Sequence, residues 1–166
     1  MQRITDDRFI DDINSNIGII HKICNIYFMD AHDRQDAGQE ILYQLWKSYA
    51  GFKGEAKFST WMYKVALNTA ITYAKKSNRK FEKEELSGNE HFMAEHREPK
   101  QADETMAMLY RAINTLSGID RAITLLYLEE NSYDEIAAIT GLTRGNVSVR
   151  LVRIKKSLKE KLEKII

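Results

Sequence analysis

Apolar residues recur every three or four positions along most of this chain, and a single proline, Pro99, is available to interrupt them. That spacing gathers apolar side chains onto one face of an α-helix. Phe9, Ile13, Ile17, Ile20, Cys24 and Tyr27 predict a first helix. After the polar break MDAHDRQD, the stripe Ala37, Ile41, Leu45 and Tyr49 predicts a second, with Leu42 and Trp46 beside it and Gly51 and Gly54 ending it. A third runs from about Ser59 or Thr60, either hydroxyl serving as N-cap, to about Ser77. Met106, Leu109, Ile113 and Leu116 share a face in a further segment, and Ile119, Ile123, Leu126 and Tyr127 in the next. No segment reads as a strand. Between Lys80 and Gln101 aliphatic residues thin out, charges of both signs crowd together, and a Ser-Gly pair precedes Pro99. Such a composition predicts a linker. The expected fold is all-α: two small helical domains, residues 1–80 and 103–166, joined by a flexible polar tether over 81–102.

Composition narrows the functions open to such a chain. Hydrophobic residues make up 43% of it, enough for a core, and the net charge is only +1, so any nucleic-acid site must be local. Cys24 is the one cysteine, which excludes an intrachain disulfide and a cysteine-rich zinc site. Its apolar neighbours make it a small core residue. His91 and His96 stand five apart without further nearby ligands, so no metal or other cofactor is expected. The start, MQRITDDRFIDD, is acidic and lacks an apolar signal core, and no apolar run is long enough to span a bilayer. The expectation is a cytoplasmic protein. No nucleophile–base pair or phosphate loop is visible, so an enzyme is not expected.

The most legible stretch is SYDEIAAITGLTRGNVSVRLVRIKKSLKEKL. Ser132 and Glu135 have capping-box spacing. They open a short helix with Ile136, Ala137 and Ile139 as its apolar positions. Gly141 supplies the turn. Thr143 is placed to cap a longer helix that buries Val147, Leu151, Ile154 and Leu158. A short helix, a tight glycine turn and a longer basic helix make a helix-turn-helix pattern. Residues near the start of the second helix are the usual base readers. Here those are Arg144, Asn146, Ser148 and Val149, with Arg150, Val152, Arg153 and Lys156 further along. The basic side chains can neutralise phosphates, and the valines can touch thymine methyl groups.

In the N-terminal half, Trp61, Lys64, Asn68, Thr72, Lys75 and Arg79 step by three or four and share one face. Met62, Ala66, Thr69, Ala70 and Tyr73 occupy the opposite, inward face. An aromatic plate with an amide and cations suits unstacked bases and phosphates. The preceding loop, Phe52 to Phe58, adds Lys53, Lys57 and two rings, and Gly54 lets its backbone bend. Phe58 is equally readable as core, whereas Trp61 reads as partly exposed. The second helix places Asp36, Gln39 and Glu40 on one exposed side. That patch suits a protein partner or, equally on physical grounds, an ordinary polar helix start.

In this order, D-x-x-Q-E, F-x-G-x-x-x-F-x-T-W-x-Y-x-x-A-x-N, a polar linker and a basic helix-turn-helix, the motifs resemble the extracytoplasmic-function (ECF) sigma factors, compact specificity subunits of bacterial RNA polymerase. The resemblance covers almost the whole chain. It implies two helical domains, regions 2 and 4. It implies that Asp36, Gln39 and Glu40 dock on the polymerase clamp helices of the largest subunit, with a further contact to the flap region. It implies that the loop Phe52, Lys53, Gly54, Lys57 and Phe58 captures a flipped base of the minus-10 element. Trp61, Lys64 and Asn68 would then bind and help melt that element, with Lys75, Lys76 and Arg79 holding phosphates nearby. Arg144 to Arg153 would read the minus-35 element. Two positions depart from the family pattern: Ser148 stands where many members carry a basic residue, and Lys57 where many carry a small or apolar one. Both leave the promoter sequence open.

The function implied is transcription initiation without chemistry of its own. The partners implied are core RNA polymerase, promoter DNA and an anti-sigma factor, with a monomer when free. The competing expectation is a conventional helix-turn-helix regulator that dimerises and binds duplex DNA without polymerase.

Overall fold

The computed structural model describes residues 2–86 and 101–165. His91, His96 and the central part of the expected tether, residues 87–100, lie outside the described residues. Among the described residues the chain forms α1 (Gln2–Ser15), α2 (Ile17–Tyr27), α3 (Ala31–Ser48), a 3-10 turn (Tyr49–Gly51), α4 (Phe58–Leu86), α5 (Gln101–Asn114), α6 (Gly118–Leu128), α7 (Tyr133–Thr140) and α8 (Arg144–Ile165), with no strand.

Three helix limits differ from the periodicity. The first expected helix is two, because Asn16 leaves helical geometry at φ −124° and ψ 16°. Its side-chain amide donates to the Asp12 carbonyl at 2.9 Å, a local bond that competes with the helical ladder. The polar run MDAHDRQD breaks the helices only at its start, Met29 and Asp30. Asp30 caps α3 by accepting from the His32 N–H at 3.0 Å, so the helix begins inside that run. α4 starts at Phe58, one residue before the expected hydroxyl caps, and runs to Leu86, beyond the expected end near Ser77.

The helix-turn-helix forms as its spacing predicts. The Glu135 N–H donates to Ser132 Oγ at 3.1 Å, and Glu135 Oε2 accepts from the Ser132 N–H at 2.8 Å, completing the capping box. Gly141 ends α7 in the left-handed region at φ 78°, a conformation that costs a Cβ-bearing residue roughly 1–2 kcal/mol. Thr143 caps α8 by accepting from the Asn146 N–H at 3.1 Å. Val147, Leu151 and Ile154 are buried. Met106 and Tyr127, read as packing positions, are exposed instead. Tyr127 is covered on one face by the Lys155 ammonium, 4.4 Å from the ring centre.

The two halves share one core. α4 is surrounded on two sides, not one. Met62, Ala66 and Ala70 are buried in the N-terminal half, whereas Tyr63 and Leu67, also buried, belong to a second apolar stripe that continues to the half-buried Ile71. α4 packs on α2 and α3 and also touches α6 and α7. At the seam a Cβ on Gly118 would lie 3.3 Å from Ile71 Cγ2, so α6 approaches α4 closely there. From α2, the Tyr27 hydroxyl donates to the Gly118 carbonyl at 2.5 Å, and Lys22 pairs with Glu129 at 2.5 Å. Arg121 lies over the Tyr27 ring, 5.7 Å from its centre. Burial pushes the Tyr27 phenol above its ordinary value, with the Arg121 charge opposing. Fully burying a side chain such as Leu67 stabilises by about 1.5–3 kcal/mol relative to exposure, so this seam is a substantial contact.

Candidate nucleic-acid and polymerase interfaces

α4 spends two faces on packing and leaves a third free. Lys64, Asn68, Thr72, Lys75, Lys76 and Arg79 are exposed along it. Thr72 returns its hydroxyl proton to the Asn68 carbonyl at 2.9 Å, leaving the Asn68 side chain outward. A shallow groove of about 440 Å³ lies beside this stripe, lined by Glu40, Gln44, Asn68, Thr72, Tyr73 and Lys76 among others. An amide and a flanking cation row offer hydrogen bonds and phosphate neutralisation along one line, the arrangement a single strand needs.

Trp61 differs from the plain outward plate its position on the helix wheel suggests. It is half-buried and meets Phe52 at 5.3 Å, Phe58 at 5.4 Å and Tyr49 at 6.2 Å between ring centres. Phe58 is half-buried in the same cluster. The cluster holds the loop from Phe52 to Phe58 against the 3-10 turn, and Tyr49 fastens that turn to α1 through its hydroxyl, which donates to Asp12 at 2.9 Å. Gly54 has φ 74°, so the backbone turns there where a side chain would be strained. Lys53, Gly54 and Lys57 project into solvent around this aromatic base. Two hollows flank Phe52 and Lys53. One, about 190 Å³, has Trp61 on its wall; the other, about 380 Å³, is lined by Arg8 and Tyr49. An aromatic wall beside mobile cations can stack an unpaired base and neutralise its phosphate.

On α3, Asp36 and Gln39 are exposed and Glu40 is half-buried, accepting from Gln44 at 3.0 Å. The three do not face one space. Gln39 borders a groove between α2 and α3, whereas Glu40 borders the groove shared with Asn68 and Lys76. The phenol of Tyr73 is raised, first by burial and then by Asp36, Asp33 and Glu40, so these acids form a common negative field against the later turns of α4. Next to them stand Leu42, Tyr43 and Trp46, all exposed, with Trp46 at 55%. On the sequence, Leu42 and Trp46 fall beside the apolar stripe, and Tyr43 does not stand out. The signal was present: Trp46 and Leu42 each sit one residue past a buried position, Leu45 and Ile41, and so about 100° off the core direction.

On α8, Arg144, Asn146, Val149, Val152, Arg153 and Lys156 are exposed, and Val152 at 68% is barer than Val149. Ser148 and Arg150 are half-buried. Arg150 donates from Nη1 to Asp120 Oδ1 at 2.9 Å and from Nε to Asn146 Oδ1 at 3.2 Å. Arg144 lies 3.6 Å from Asp134, a pair so exposed that it adds little. Among the described residues, no group of three or more His, Cys, Asp or Glu side chains is arranged to hold a metal ion. No helix among them is long and apolar enough to cross a membrane.

A glycine-turned helix pair with a bare basic second helix defines a helical DNA-binding protein. The comparisons with known proteins carry this further. The description "Sigma-70 region 2" matches residues 13–80 and "Sigma-70, region 4" matches residues 106–158, well over half of the chain between them. The RNA polymerase sigma-H factor of Pseudomonas aeruginosa is 27% identical over 160 residues, covering 88% of this chain and 83% of that protein. The ECF RNA polymerase sigma-E factor of Escherichia coli is 28% identical over 166 residues, with the same two shares. Among solved structures, the sigma factor RpoE in complex with the anti-sigma factor NepR from Bartonella quintana has a TM-score of 0.73 at 19% identity, covering 94% of this chain and 97% of that one. CnrH in complex with the cytosolic domain of CnrY has a TM-score of 0.69 at 16% identity, covering 95% and 89%. The chain belongs to the sigma-70 family, as a member of its extracytoplasmic-function group, and its role is that of a sigma factor.

Proposed function

We propose that this sigma factor directs core RNA polymerase to promoters by dividing the work between two units, residues 1–80 and 103–166, connected by 81–102. α3 docks on the clamp helices through Asp36, Gln39 and Glu40, and the exposed Leu42, Tyr43 and Trp46 extend that surface. The second unit makes the flap contact. The loop Phe52, Lys53, Gly54, Lys57 and Phe58, with Trp61 as its wall, receives an extruded base of the minus-10 element. Lys64 and Asn68 meet the same strand, and Lys75, Lys76 and Arg79 hold its phosphates. Arg144, Asn146, Ser148, Val149, Val152, Arg153 and Lys156 lie against minus-35 duplex, with Arg150 behind them. Extruding a base costs a few kcal/mol of unstacking, offset by stacking and pocket contacts. The polymerase catalyses synthesis and this chain supplies recognition alone, in the bacterial cytoplasm.

The observation that carries the reading is the third face of α4. A helix packed on two sides keeps a continuous cation and amide stripe bare, beginning beside an aromatic-walled loop. The sigma factor RpoE is named in complex with the anti-sigma factor NepR, and CnrH in complex with the cytosolic domain of CnrY, which supports the further proposal that this chain is held by an anti-sigma factor. Permanganate probing of a promoter bound by core polymerase and this chain tests the assignment. Thymines in the minus-10 element should become reactive with the unaltered chain, and at least tenfold less so with Lys64→Ala and Asn68→Ala combined. Unchanged reactivity in that variant would remove the α4 stripe from strand opening. Polymerase binding that survives the combined alanine change of Asp36, Gln39 and Glu40 would remove the docking surface.

A further inference from the structure

Of the α8 arginines, Arg150 makes a shorter and less exposed ion pair than Arg144, 2.9 Å to Asp120 against 3.6 Å to Asp134. Its Nη1 donates to Asp120 at 2.9 Å, and Asp120 sits in the first turn of α6, where Ser117 caps the helix. A carboxylate at a helix N-terminus is held favourably, so it is a firm anchor. From that anchor Arg150 reaches back one turn along α8 and donates from Nε to Asn146 Oδ1 at 3.2 Å. Asn146 is the third residue of α8 and exposed, where a helix in the major groove meets base edges.

The chemistry of this relay decides what Asn146 offers. A guanidinium carries donors only, so the amide atom facing it must be the oxygen. That removes the usual ambiguity between the two amide orientations. A free asparagine reads adenine by accepting from N6 and donating to N7 together. Here Arg150 takes one of the oxygen's two lone pairs and holds that end of the amide back along α8, so the two N–H groups are the end more available to a base. Guanine presents two acceptors, N7 and O6, in the major groove, whereas adenine presents one acceptor beside a donor. We infer that the Asp120–Arg150 pair is a positioning device that turns the donors of Asn146 forward and shifts it from reading adenine toward reading guanine in the minus-35 element. Arg150 acts through Asn146 and does not itself touch the base. The inference rests on the proposed role of α8 and adds the base identity at one position.

The test is run-off transcription with core polymerase and the full-length chain on templates randomised across the minus-35 element. Asn146→Ala identifies the position: one base preference should flatten while the others stay. At that position the unaltered chain should favour guanine over adenine by about tenfold, the scale of one good major-groove pair. Arg150→Met frees Oδ1 and should move the preference to adenine there and nowhere else, which a merely structural role would not do. Asn146→Asp, exposed and harmless to the fold, keeps the acceptor toward Arg150 but removes both donors, so the guanine preference should vanish. Adenine favoured by the unaltered chain, guanine retained in either Arg150→Met or Asn146→Asp, or no position flattened by Asn146→Ala, would each overturn the inference. Transcription from no template with the unaltered chain would overturn the initiation reading beneath it, and this inference with it.

Discussion

Cys24 shows how a single side chain reports on the packing around it. It is buried in α2 against α3, close enough to Gly38 that a Cβ there would meet its sulfur at 3.9 Å. Burial pushes its thiol from 9.0 up to about 11, with the Arg34 charge opposing weakly. The folded protein therefore holds a proton that the unfolded chain releases at lower pH. Stability from this residue is intact below pH 9, declines as pH rises from there, and stops declining above about 11. Denaturant midpoints measured at pH 8 and pH 10.5 should show that decline, and Cys24→Ala should lessen it. An equal decline in both proteins would mean the thiol is not desolvated as described. The same residue was readable in advance, because Cys24 falls on the apolar stripe with Ile20 and Tyr27. Gly141 was equally readable, since a glycine between two apolar-periodic segments has few other uses. Arg150 was not: its partner Asp120 lies 30 residues away, and nothing local distinguishes an engaged arginine from a free one.

At the scale of the element, periodicity works where a helix has one buried side and misleads where it has two. α8 has one, and Val147, Leu151 and Ile154 fall where the spacing puts them. α4 has two, and the stripe of Tyr63, Leu67 and Ile71 was invisible because its partner is the other half of the chain. The exposed stripe was still correctly placed, since charged and amide residues at Lys64, Asn68, Lys75 and Arg79 exclude themselves from either core. Trp61 was harder. Its packing depends on Tyr49 and Phe52, which reach it through a turn and a loop that carry no periodic signal. α3 presents the reverse case, large apolar residues left exposed among the described residues. Trp46→Ala should weaken core polymerase binding by at least tenfold, as buried tryptophans at interfaces do, while changing thermal stability by less than about 0.5 kcal/mol, as surface changes do. Fluorescence anisotropy of the labelled chain against core polymerase measures the first, and a melting curve the second. A large loss of stability with unchanged binding would make Trp46 a packing residue.

For the whole molecule, the difference from the sequence reading lies in how the halves meet. A polar tether suggested domains free of one another. Instead α2 and α4 bury side chains against α5, α6 and α7, and Tyr27, Lys22 and Ile71 fasten the seam. The free monomer should then scatter as a single compact body with a radius of gyration near 15 Å, the value expected of a chain this long. Leu67→Asp combined with Ile71→Asp places two carboxylates in the seam and should increase that radius by several ångströms while circular dichroism stays helical. A radius already expanded in the unaltered protein would mean that the halves separate without help. Among the described residues the seam leaves α8 and the third face of α4 both open, so the two sides proposed to meet DNA are not covered by it.

The central proposal is that this chain gives core polymerase its choice of promoter through two separate elements. Run-off transcription with purified core RNA polymerase on a randomised promoter library measures that choice directly. The prediction is transcription that requires this chain and comes from templates sharing two short motifs, one lost when Arg153 and Lys156 become alanine and the other when Lys64 and Asn68 do. Folded protein with active polymerase that yields no chain-dependent transcripts, or transcripts sharing no motif, would contradict it.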